Sequence, residues 1–94
     1  MRLFVTPLAR SDVDQIYDLI AADRPSAARR WIDRMQMQFK FLSRNPRVGT
    51  ARDDIRPHLR SISFGDCVIY FRERDDALEI VRVIHGARDI DQLF

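Results

Sequence analysis

Leu78-Glu79-Ile80-Val81-Arg82-Val83-Ile84-His85-Gly86-Ala87-Arg88-Asp89 is the stretch on which the fold turns. Its density of β-branched residues predicts a strand, and Gly86 stops it. Strict alternation puts Leu78, Ile80, Arg82 and Ile84 on one face and Glu79, Val81, Val83 and His85 on the other. Two mainly apolar faces place the strand centrally in its sheet. Because it also carries Arg82 and His85 before turning through Gly86 to Arg88, its end is the first place to look for chemistry or a charged contact.

Upstream, Cys67 to Arg72 reads as a strand, and Glu73-Arg74-Asp75-Asp76 as a charged turn into the last one. His58 to Phe64 is another strand, with Ile62 and Phe64 on one side and Ser61 and Ser63 on the other; Gly65-Asp66 is a two-residue hairpin connection. Strands joined this closely run antiparallel. The segment from Asn45 to Pro57 has no clear period and reads as loop. Nearer the start, Arg2 to Val5 is a short strand, and Thr6-Pro7 is a hydroxyl cap with proline at the first helical position. Helix 1 runs to about Ala22 on an apolar stripe of Ala9, Val13, Ile16, Tyr17 and Ile20. After the break at Asp23-Arg24-Pro25, helix 2 runs to Arg44 on Ala28, Trp31, Ile32, Met35, Phe39 and Leu42. After Gly86-Ala87 a short terminal helix or tail follows, with Ile90 and Leu93 as anchors. The element order is that of an α+β chain: an N-terminal strand, two helices, then three C-terminal strands running antiparallel.

The 94 residues, 46% hydrophobic and 32% charged, suit one globular domain spanning 1–94. The longest unbroken apolar run is Cys67 to Phe71, too short to span a bilayer or serve as a signal-peptide core, so a cytoplasmic location and no membrane contact are expected. A single cysteine, Cys67, fits a reducing compartment and reads as a small buried hydrophobe. Charge is uneven: residues 24–60 hold ten cations against three carboxylates, a balance of +7 within a chain of net +2. Such a middle suits an acidic partner or a nucleic acid, or is simply a solvated face.

Met37 and Phe41 fall opposite the core stripe of helix 2, beside Arg30 and Arg34. Two readings are open: unremarkable exposed side chains, or a docking surface for a partner's amphipathic helix. Cys67, His58 and His85 lack metal-ligand spacing, and there is no phosphate loop, nucleophile elbow or paired-carboxylate signature, so no cofactor and no metal are expected. What remains is the set Arg52, Arg60, Arg82, His85 and Arg88. These residues suit structural ties to loop carbonyls, a phosphate- or partner-contacting surface, or cleavage of RNA by its own 2′-hydroxyl, with histidine as base and arginines on the phosphorane.

The chain resembles the ParE toxins of the RelE/ParE toxin–antitoxin superfamily, known also as plasmid stabilisation systems. The resemblance rests on Ala9 with Asp14-Gln15-Ile16, Asp23-Arg24-Pro25-Ser26-Ala27-Ala28, Asn45-Pro46-Arg47-Val48-Gly49 with Arg52, Leu59-Arg60-Ser61-Ile62, Val68-Ile69-Tyr70-Phe71 and Ile80 to Asp89. It implies an α+β fold in which an N-terminal strand is followed by a two-helix hairpin packed on one face of an antiparallel sheet completed by three C-terminal strands. Also implied is a small acidic antitoxin of the ParD type, bound as a hetero-oligomer, which makes Arg30, Arg34, Met37 and Phe41 antitoxin-contact candidates. It also implies DNA gyrase as target, with no hydrolytic activity, and Arg52, Arg60, Arg82, His85 and Arg88 as target-contact candidates. The alternative is the RelE branch, whose members cut mRNA on the ribosome; Arg60, Arg82 and His85 would then be catalytic. That branch typically uses lysines and a late tyrosine or histidine, whereas here the only lysine is Lys40 and no tyrosine follows Tyr70.

Overall fold

The computed structural model describes residues 1–86 and Phe94. Strand β1 (Arg2–Val5) leads into helices α1 (Pro7–Asp23) and α2 (Pro25–Arg44). Then come β2 (Thr50–Ala51), β3 (Arg60–Phe64), β4 (Cys67–Arg74) and β5 (Ala77–His85), in a five-stranded sheet of order β1-β5-β4-β3-β2. The expected terminal helix or tail, with Ile90 and Leu93, lies outside the described residues.

Local chemistry sets both helix starts. Thr6 Oγ1 accepts from the Ala9 N–H at 3.1 Å and donates to the Val81 carbonyl at 2.9 Å, so the cap of α1 is also a tie to β5. Pro25 opens α2, and the Arg24 N–H closes α1 onto the Ile20 carbonyl. Asn45 ends α2 by donating its N–H and its Nδ2 to the Phe41 carbonyl. The stripes meet as expected: Ala9, Val13 and Ile16 of α1 and Trp31, Met35, Phe39 and Leu42 of α2 pack on Cys67, Ile69, Phe71, Leu78, Ile80 and Val83 of the sheet. Tyr17, Ile20 and Ile32 are partly buried at the margin.

The structure corrects several expectations. The loop reading of 45–57 missed β2, a two-residue strand that pairs Thr50 with Ser61 and Ala51 with Arg60. Gly49 makes that approach feasible: its φ is +79°, and a Cβ there would collide with the Ser61 carbonyl. Strand β3 starts at Arg60 and not at His58, which has a φ of 65°. Strand β4 extends to Arg74, so the turn is only Asp75-Asp76, with φ of 52° and 63°, the left-handed pair that a tight hairpin needs. The antiparallel run holds from β2 to β5, but β1 joins β5 in parallel, as the helices carry the chain away before it returns.

Strict alternation along β5 also fails. Tyr70 opposes Arg82 while Phe71 opposes Ile80, leaving Val81 as an extra residue between them. This bulge resets the parity. Leu78, Ile80 and Val83 therefore face the helices, whereas Val81 and Ile84 join Leu59 and Tyr70 in a second, smaller cluster on the opposite face, flanked by Ile55, Val68 and Phe94.

Candidate functional site

Because β1 pairs only with Ala77 to Ile80, the outer edge of β5 beyond Ile80 needs other partners. The Thr6 N–H reaches the Ile80 carbonyl at 3.1 Å, and Asp12 of α1 takes the next donor, the Val83 N–H, at 3.0 Å. The same carboxylate holds Arg82 through Nε at 2.8 Å and Nη2 at 2.9 Å. Both side chains are mostly buried, 14% and 13% exposed, and this bidentate bond to Asp12 raises the pKa of the Arg82 guanidinium. Asp12 is thus an edge cap. No local pattern in the sequence singles it out, since its partners lie seventy residues on.

Arg60 is similarly committed. Its Nε donates to the Val48 carbonyl at 2.9 Å, and Nη2 donates to the carbonyls of Arg47 at 2.7 Å and Gly49 at 3.1 Å. It clamps the turn after α2 onto β3. Arg52 forks onto Asp54 through Nε at 3.0 Å and Nη2 at 2.9 Å. That contact raises the guanidinium and holds the Asp54 carboxyl below the usual carboxylate range. Arg52 also interacts with the hydroxyl of Tyr70, whose pKa burial pushes up despite that arginine. His85 is exposed at the end of β5, opposite Cys67. Arg52, Arg60 and Arg82 are thus held on separate partners, and Arg88 lies outside the described residues. Among the described residues no group of three His, Cys, Asp or Glu side chains could hold a metal ion.

The outer face of α2 is arranged differently. Met37 is 70% and Phe41 45% exposed. Arg29, Arg30, Arg34, Lys40 and Arg44 are exposed along the same helix, and among the described residues none forms an ion pair. Apolar anchors among unpaired cations suit an acidic amphipathic segment. No helix among the described residues is long and apolar enough to cross a membrane.

A helical hairpin on one face of a five-stranded mixed sheet is a small α+β architecture, and comparison with known proteins narrows it. A solved structure, the chromosomal ParDE toxin–antitoxin system from P. aeruginosa, superposes with a TM-score of 0.79 at 24% identity, over 93% of this chain and 97% of that one. Toxin ParE1 of Mycobacterium tuberculosis (strain H37Rv) is 30% identical over 94 residues, 97% of this chain and 95% of the relative. Toxin ParE3 of Caulobacter vibrioides is 27% identical over 90 residues, 95% of this chain and 90% of the relative. The family model for the ParE toxin of type II toxin–antitoxin systems, parDE, matches residues 3–90. The chain belongs to that family.

Proposed function

We propose that this ParE-family toxin inhibits DNA gyrase without hydrolysing a substrate, and that an acidic ParD-like antitoxin neutralises it in a hetero-oligomer in the cytoplasm. Family membership supports the gyrase reading. The donors of Arg60 and Arg82, two of the three residues a ribonuclease would use, serve backbone carbonyls and Asp12, which favours the non-hydrolytic reading. The observation that carries the antitoxin reading is the outer face of α2, where Met37 and Phe41 stand exposed beside Arg30 and Arg34. An antitoxin segment with apolar residues and carboxylates at helical spacing would fill that face.

Two measurements test this. After induction of the toxin without its antitoxin, thymidine incorporation falls within minutes while methionine incorporation continues. The reverse order would overturn the gyrase reading in favour of mRNA cleavage, and His85→Gln would then abolish toxicity. In a calorimetric titration with the antitoxin, the double variant Met37→Asp/Phe41→Asp binds about 3 kcal/mol more weakly, a loss of about a hundredfold. Unchanged affinity removes α2 from the interface and leaves the gyrase question untouched.

A further inference from the structure

On the sheet face away from the helices, a cleft of about 210 Å³ is lined by Arg56, Arg72, Arg74 and Arg82 together with Glu79 and an apolar wall that includes Val81 and Phe94. Its cations are unequally matched. Arg82 is neutralised by Asp12. Arg72 gives Nε to Glu79 at 2.9 Å, and among the described residues its terminal nitrogens have no hydrogen bond. Arg74 is 60% exposed, and both its carboxylate contacts, to Asp75 and Glu79, are 3.9 Å long, beyond hydrogen-bond reach. Arg56 is exposed and makes no side-chain hydrogen bond among the described residues; its guanidinium carbon lies 5.0 Å from the centroid of the Phe94 ring. Among the described residues, three guanidinium groups thus border the cleft with one side-chain carboxylate, Glu79, between them.

We infer that this cleft is a phosphate-group site, held by Arg56, Arg74 and the terminal nitrogens of Arg72, and that the phosphates it takes are those of a nucleic-acid backbone. Planar guanidinium forks match phosphate oxygens, and an excess of cation over carboxylate selects a multiply charged strand over a neutral ligand. Val81 and Phe94 offer an apolar wall for the sugars. A strand held at this cleft would be bound through its phosphates and not read by sequence. The inference does not depend on gyrase, because binding is read on the isolated toxin.

The test is fluorescence anisotropy of a short labelled DNA strand and its duplex, titrated with the purified toxin at about 50 mM and about 200 mM salt. Wild type binds at the lower salt and weakens steeply at the higher. Arg56→Gln/Arg74→Gln, both exposed, keeps the wild-type melting temperature but loses about tenfold in affinity and about two from the slope of log affinity against log salt. Arg30→Gln/Arg34→Gln leaves binding unchanged. Calorimetry with inorganic phosphate alone separates the sources: phosphate binding abolished by Arg56→Gln/Arg74→Gln, with no strand bound by wild type, keeps the site and assigns it to free phosphate. Neither ligand binding wild type, or strand binding lost only in the α2 variant, overturns the proposal. So does a loss of antitoxin affinity in Arg56→Gln/Arg74→Gln with strand binding intact, which would make the cleft a protein contact.

Discussion

On the helix-covered face of the sheet, Met35, Leu42, Phe71, Leu78 and Ile80 are wholly buried between two layers of regular structure. On the opposite face the apolar cluster among the described residues is smaller, with Leu59, Tyr70, Val81 and Ile84 buried and the loop residue Ile55, Val68 and Phe94 at their margin. The first face is held by area and packing, so its residue types matter more than their individual contacts. The second is small, and the arginines around it, Arg52, Arg72 and Arg82, are fixed by paired carboxylates. Binding surfaces can therefore change there with little consequence for the core.

Leucine truncation gives the sharpest test of this contrast. Leu42→Ala and Leu59→Ala both remove a fully buried side chain. Between rigid layers the cavity at Leu42 cannot collapse, so about 4 kcal/mol of stability is lost in urea unfolding; the loop over Leu59 can close in, limiting the loss to about 2 kcal/mol. Equal losses would break the comparison. Asp12→Ala falls between them at about 3 kcal/mol, because it removes the carboxylate that holds both the mostly buried Arg82 guanidinium and the Val83 N–H. Asp12→Asn should recover part of that loss; if both variants unfold like wild type, the edge-cap role is wrong.

The smallest effect concerns alkali. Burial raises the Cys67 thiol on the helix face above its ordinary 9.0, with Asp66 adding to the shift, and raises the Tyr70 hydroxyl on the open face above its ordinary 10.0. Each folded group keeps its proton to a higher pH than the unfolded chain does. The stability they contribute is therefore complete below the unfolded values and declines as pH rises through the folded ones. In urea melts from about pH 8 to about pH 10.5, wild type should lose stability from about pH 9, earlier than Cys67→Ala. Superposed curves would show that the helix face leaves its thiol as open to ionisation as the unfolded chain does.

Much of the architecture was legible in the residues because its signals are local. Thr6-Pro7 and Pro25 set both helix starts, the apolar stripes of α1 and α2 chose their buried sides, and Gly65-Asp66 marked a hairpin. Met37 and Phe41 stood out as exposed for the same reason, since helical spacing alone puts them opposite the stripe. Arg52, Arg60, Arg82 and His85 were visible only as residue types; their separation onto Asp54, the 47–49 carbonyls, Asp12 and the exposed end of β5 was not.

By itself, then, the sequence determined where helices begin and end, which helix faces are apolar and that the final strands form hairpins, since each depends on neighbours a few residues apart. Only the tertiary structure decided that Val81 bulges, that β1 lies parallel to β5, that Thr50-Ala51 pairs as a strand and that Asp12 caps an open edge. Each of these depends on which other element the segment meets in the fold. A bulge in particular exists only relative to the strand opposite, where Tyr70 and Phe71 leave Val81 without a counterpart.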